Sequence, residues 1–128
     1  MDSESNLHQY RGKVLFVDDA KVNLMLGRKM LSNFGLEVDT AENGKQAIAC
    51  CEKNTYQLIF MDLEMPEVGG LAAATIIREK QLSYAPIFAL TGTDSEKIRM
   101  LCRTANMNGF VTKPLKKEKI EQILNRVF

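Results

Sequence analysis

Five polar residues stand out by type and by what precedes them. In "LFVDDAKVN", residues 15–23, Asp18 and Asp19 sit side by side after an apolar run. Asp62 closes "LIFMD", Thr91 closes "FALT", and Lys113 follows "FVT". Carboxylates crowded within a few ångströms repel one another and are driven to hold protons unless a cation intervenes. Oxygen ligands without clustered His or Cys disfavour zinc and favour Mg2+, with Mn2+ as the alternative; magnesium keeps waters that a phosphate can replace. Lys113 adds a point charge for one phosphoryl oxygen, and Thr91 a hydrogen bond for another. The set therefore suits a phosphoryl group. No GxxxxGK(S/T) loop and no GxGxxG turn is present, so a bound nucleotide is not expected. The phosphate is expected to end on the protein, as an aspartyl phosphate whose charge the metal and the lysine stabilise.

These residues must be brought together by the elements that carry them. "KVLFV" (13–17), "LEVDTA" (36–41), "YQLIFM" (56–61), "APIFALT" (85–91) and "GFVT" (109–112) are short, apolar and often β-branched, as strands are. Segments of helical spacing lie between them. Val22, Leu26, Met30 and Phe34 recur every four residues and stop at Gly35. Ile98, Leu101, Cys102 and Ala105 form a second stripe, and Ile120, Ile123, Leu124 and Val127 a third; all three stripes read as core faces, with Met25 and Met30 as packing. "GLAAATIIREK" is Ala-rich and bounded by Gly70. Five apolar strands alternating with helices predict an α/β domain, a doubly wound parallel sheet covered on both faces. In such sheets ligands sit beyond the carboxyl ends of the strands, which is where all five polar residues fall.

Length and charge narrow the options further. A chain of 128 residues, 45% hydrophobic and 26% charged, fits one globular domain with a real core. Seventeen basic against sixteen acidic residues mark no surface for nucleic acid or an anionic membrane. No apolar run approaches the roughly 20 residues of a bilayer span, and the start is polar and acidic, so a cytoplasmic location is expected. Cys50, Cys51 and Cys102 have neither metal-type spacing nor a disulfide framework and read as partly buried thiols. Residues 1–12 read as a flexible lead-in, with His8 a solvated side chain, and 13–128 as the domain.

"VLFVDD", "LIFMDLEMP", "FALTG" and "FVTKPL", in that order and at strand ends, resemble the receiver domain of two-component response regulators, over about Lys13 to Val127. The resemblance implies a flavodoxin-like sheet of order 2-1-3-4-5. It implies that Asp62 accepts a phosphoryl group from a phosphohistidine on a sensor histidine kinase or histidine phosphotransfer protein. It implies that Asp19 and Asp62 ligate Mg2+ directly, Asp18 through water, and Glu64 through its main-chain carbonyl. Lys113 would pair with Asp62 at rest and with the phosphate afterwards, its bond to Pro114 being cis in relatives. Thr91 would move toward the phosphate and Phe110 into the space vacated, altering the surface that the partner reads. Glu64 and Thr93, each two residues beyond a site residue, would tune the phosphate's lifetime.

Several residues depart from the family pattern. Phe110 lacks the hydroxyl of a tyrosine, so a softer switch is expected. Gly69 stands where aspartate is usual, which predicts a looser loop. Gly92 stands where alanine is common, and easier water access should shorten the phosphate's life. Asn106 replaces the usual glycine, a mild change at a left-handed cap. Two other functions compete. A pseudo-receiver acting only as a protein-interaction module would normally have lost an acid or the lysine, and a flavodoxin-type redox protein would need a Ser/Thr/Gly-rich phosphate loop after the first strand. The chain ends at Phe128, one residue beyond the resemblance, so output by contact is expected, from a stand-alone receiver or one belonging to a hybrid kinase. The starting Met1 favours the stand-alone form.

Overall fold

A computed structural model describes residues 10–65 and 67–128; His8 lies outside the described residues. The order is β1 (Lys13–Val17), α1 (Lys21–Asn33), β2 (Glu37–Ala41), α2 (Gly44–Lys53), β3 (Leu58–Asp62), α3 (Gly70–Glu79), β4 (Ile87–Thr91), α4 (Glu96–Thr104), β5 (Gly109–Thr112) and α5 (Lys117–Val127). The strands form one parallel sheet in the order β2-β1-β3-β4-β5. The central strands β3 and β4 are buried at every position, because helices cover both faces of a parallel sheet. The expected strand 85–91 starts at Ile87: Pro86 has no N–H for the ladder, though its carbonyl accepts from Ile59.

Alternation along each strand divides the core in two. Leu15, Val17, Ile59, Met61, Ile87 and Ala89 pack with α2, α3 and α4. Val14, Phe16, Phe60, Phe88, Leu90 and Val111 pack with α1 and α5. On that second face the rings of Phe16, Phe60 and Phe88 step across the sheet at 5.9 and 6.4 Å. Side chains cap two helices: Asn43 accepts from the Gln46 N–H, and Ser95 from the Ile98 N–H. At the foot of the sheet the Tyr56 hydroxyl donates to Asp39 at 2.7 Å. Asn106 has φ of 60° just after α4, the left-handed cap expected of it.

Three expectations need correction. Along α1 the buried line is Leu24, Gly27 and Leu31, continued by Phe34, whereas Val22 and Leu26 are exposed and Met25 is 72% exposed. The helix presses so closely on β1 that a Cβ at Gly27 would stand 2.4 Å from the Phe16 ring. A glycine therefore marks the buried face, and a stripe traced through large apolar residues lands on the solvent side. On α4, Cys102 and the following Ala105 are buried and Ile98 is half-buried, but Leu101 is exposed. The lead-in ends before residue 12: Tyr10 is buried against Phe34 and Phe128, and its N–H donates to the Phe34 carbonyl.

Candidate functional site

Strand order decides which polar residues meet. β1 and β3 are neighbours with Val17 beside Met61, so Asp18 and Asp19 emerge next to Asp62. Thr91 ends β4 on the other side of β3, opposite Thr112 of β5, and Lys113 follows. Carboxylate oxygens of Asp18, Asp19 and Asp62 lie within 4.8 Å of one another. Asp18 and Asp62 are buried and Asp19 is exposed, so the cluster has a closed floor and an open mouth.

Each buried acid is held by specific donors. Asp18 Oδ1 accepts from the Ala20 N–H at 3.0 Å, and Oδ2 from Asn23 Nδ2 at 3.2 Å. Asp62 Oδ1 accepts from the Glu64 N–H at 3.0 Å. Lys113 Nζ stands between the two acids, 3.3 Å from Asp18 Oδ2 and 3.2 Å from Asp62 Oδ1. Among the described residues, Asp62 Oδ2 is buried with no hydrogen-bond partner. Such an atom costs about 1–3 kcal/mol to leave unpaired, so the site stores a demand for a cation or a proton. Loss of hydration pushes the Asp62 carboxyl up; the Glu64 N–H pulls it down, Asp18 pushes it up and Lys113 pulls it down, leaving it above the usual carboxylate range. Burial alone would lower Lys113, but the charges of Asp62 and Asp18 outweigh it and hold the ammonium above its ordinary value.

The remaining expected residues lie around the mouth. Thr91 is buried, and its hydroxyl donates to the Thr93 carbonyl at 3.1 Å and accepts the Thr93 N–H at 3.2 Å. The Thr91 hydroxyl is thus engaged with its own loop. A Cβ on Gly92 would meet the Glu64 carboxylate at 3.6 Å, an ordinary contact. Among the described residues Gly69 is likewise uncrowded, a Cβ there standing 3.6 Å from the Leu63 carbonyl and 3.7 Å from that of Met65. Phe110 is half-buried under the guanidinium of Arg99, whose carbon is 5.4 Å from the ring centroid. The Lys113–Pro114 bond is cis.

Three further positions shape the site. Asn23 tethers Asp18 from the first turns of α1; its place five residues after Asp18 was the available signal. Gly70 starts α3 so near β3 that a Cβ would fall 2.1 Å from the Asp62 carbonyl, which fixes the backbone beneath the acid. Arg99 covers Phe110, and nothing in the spacing of α4 announced it. The three thiols lie away from this edge and form no disulfide; burial, with Cys50 beside it, pushes Cys51 up to about 11.

Comparison with known proteins gives a consistent picture. The family model described as the response regulator receiver domain matches residues 14–125. Hybrid signal transduction histidine kinase B of Dictyostelium discoideum is 38% identical over 120 residues; the match covers 84% of this chain but 6% of that protein, so the chain spans a small part of that relative's length. The receiver domain of sensor histidine kinase PA1611 from Pseudomonas aeruginosa, solved with magnesium coordinated in its active-site cleft, superposes with a TM-score of 0.81 at 31% identity, covering 92% of this chain and 98% of that one. The Saccharomyces cerevisiae receiver domain of Ssk1, solved in complex with the histidine phosphotransfer protein Ypd1, gives a TM-score of 0.84 at 27% identity, covering 90% and 87%.

Proposed function

The chain belongs to the response regulator receiver domain family of two-component and phosphorelay signalling, and on that ground we propose that Asp62 is its phosphoacceptor and that phosphorylation changes which partners it binds. The observation that carries this reading is the buried Asp62 carboxylate, with one oxygen on Lys113 and the Glu64 N–H and the other without a partner beside Asp18 and Asp19. The all-oxygen donor set and the orphaned oxygen fit a hard divalent cation. Asp19 and Asp62 would hold Mg2+ directly, Asp18 through water, and the Glu64 main-chain carbonyl would add a further ligand; the magnesium in the cleft of the PA1611 receiver supports, by likeness, an ion at this edge. When bound, the ion supplies charge neutralisation for the incoming phosphoryl oxygens.

In the reaction an Asp62 carboxylate oxygen attacks phosphorus while the bond from phosphorus to the donor's imidazole nitrogen breaks. That electron pair stays on nitrogen, which takes up a proton from water. Lys113 is placed to follow the negative charge from Asp62 to the phosphoryl group, being within reach of Asp62 already. Asn23 and the Ala20 N–H keep Asp18 aimed at the site. Thr91 would leave its loop partners to donate to a phosphoryl oxygen.

The donor is a histidine kinase or a histidine phosphotransfer protein. Val22, Met25 and Leu26 give α1 an exposed apolar face on the side of the mouth, and Leu26 and Met30 line a cavity of about 100 Å³ with Asp18, Asn23, Lys113 and Pro114. Such a patch beside an active site is suited to an apolar helical surface presenting a histidine. The test is exposure to a small phosphodonor with magnesium. One acid-stable, base-labile phosphoryl adduct that maps to Asp62 and is missing in Asp62→Asn supports the proposal; an adduct elsewhere, or none, refutes it.

A further inference from the structure

Phe110 has no hydroxyl to anchor it, yet its ring is covered. The Arg99 guanidinium lies over it at 5.4 Å, within the range of a cation–π contact. Arg99 is in turn held at two points, Nε to Asp94 Oδ1 and Nη2 to Asp94 Oδ2, each at 3.0 Å. A planar guanidinium fixed by a fork of this kind keeps its orientation in a way that a lysine would not. Asp94 belongs to the same short loop as Thr93, to which the Thr91 hydroxyl is bonded. One continuous set of contacts therefore runs from the Thr91 hydroxyl through Thr93, Asp94 and Arg99 to the Phe110 ring. The two surface hollows flanking the ring share it, and Asp94 lines one while Arg99 lines the other.

We propose that Asp94 and Arg99 form a latch that holds Phe110 in its resting orientation, and that withdrawal of Thr91 from its loop releases it. This rests on the phosphoacceptor reading only for the release step; the resting hold does not depend on it. Movement of Thr91 toward Asp62 breaks both of its bonds to Thr93. The loop then loses the support that places Asp94, the fork loosens, and the ring loses its cover. The latch replaces the anchoring hydroxyl of a tyrosine, so the expected softness of a phenylalanine switch is offset by a cation that the neighbouring helix provides.

The test reads the Phe110 ring by NMR in the unphosphorylated full chain, through its χ1 couplings and ring contacts. Arg99→Met keeps the aliphatic bulk and drops the cation, and is expected to raise the ratio of displaced to resting ring by roughly two- to fivefold. Asp94→Asn should raise it by less, and Arg99→Lys should fall between wild type and Arg99→Met. Ser95→Ala removes the α4 cap without touching the pair and should leave the ratio unchanged. An unchanged ratio in both Arg99→Met and Asp94→Asn overturns the latch, as does an equal rise in Ser95→Ala, which would trace the effect to helix stability. A raised ratio in protein that takes no phosphate on Asp62 keeps the resting hold while sinking the phosphoacceptor reading. Phosphate on Asp62 with an unmoved ratio in both Arg99→Met and Asp94→Asn does the reverse.

Discussion

Replacing Asp62 by asparagine should stabilise the metal-free protein. The acid is 1% exposed, its Oδ2 has no partner, and Asp18 stands beside it. Loss of hydration, with Asp18 adding to it, holds its carboxyl above the usual range despite the Glu64 N–H and Lys113. A proton is thus bound more tightly by the folded than by the unfolded chain. The stabilisation this brings is complete below the unfolded carboxyl value of about 3.9 and is lost as pH rises through the folded value, so at neutral pH the ionised acid is a cost. Asparagine keeps the shape and the acceptor for the Glu64 N–H, removes the charge, and puts an amide donor where the unpaired oxygen stood, beside the Asp18 and Asp19 carboxylates that can accept from it. Relief of an unpaired buried oxygen amounts to about 1–3 kcal/mol, and the lost attraction to Lys113 brings the expected gain to about 1 kcal/mol. For a chain of this length that is about 3–5 °C in Tm. Magnesium at a hundredfold excess over Kd stabilises wild type alone by about 2.7 kcal/mol and should reverse the order. Thermal melts in EDTA and in magnesium, at pH 7 and pH 4.5, measure all of this. A wild type more stable than Asp62→Asn in EDTA at pH 7, or a gap that widens as pH falls, would show that the ionised Asp62 is not a cost to the metal-free fold.

Three further outcomes follow from particular contacts. Gly27→Ala places a methyl 2.4 Å from the Phe16 ring and should cost about 1–3 kcal/mol by overpacking, read as a lowered midpoint in urea. Gly92→Ala sets a methyl against the Glu64 carboxylate and should slow loss of phosphate from Asp62 by obstructing water; an unchanged dephosphorylation rate contradicts that. Met25→Glu charges the exposed face of α1 and should slow transfer from a phosphotransfer protein by at least roughly tenfold while leaving labelling by a small phosphodonor unchanged.

What the sequence made legible was what rests on runs of similar residues. The strands announce themselves because β1, β3 and β4 are buried on both faces, so "VLFV", "LIFM" and "IFAL" read as strands without reference to partners. Their order in the sheet came by resemblance, and the topology agrees with it. The buried face of the first helix is hidden in the sequence because its nearest approach to the sheet is through Gly27, and a glycine contributes nothing to a hydrophobic stripe. Its outer face, Val22, Met25 and Leu26, carries the large apolar residues that a hydrophobic stripe assigns to the core. The acids and Lys113 were legible as strand-end residues. That Lys113 bridges two acids, and that Asp62 keeps an oxygen without a partner, depends on side-chain placement that no spacing encodes. The cover of Phe110 by Arg99 joins α4 to β5 across eleven residues and was equally out of reach.

Phosphate passing from histidine to Asp62 is what every functional step above requires. The most direct measurement is transfer of labelled phosphate from a phosphorylated histidine phosphotransfer protein, with the acceptor residue mapped by borohydride reduction, in wild type, Asp62→Asn and Asp19→Ala. Magnesium-dependent label on Asp62 is expected in wild type, none in Asp62→Asn, and loss of the magnesium-dependent reaction in Asp19→Ala. Label that persists in Asp62→Asn at the wild-type rate, or full transfer by Asp19→Ala, would contradict it.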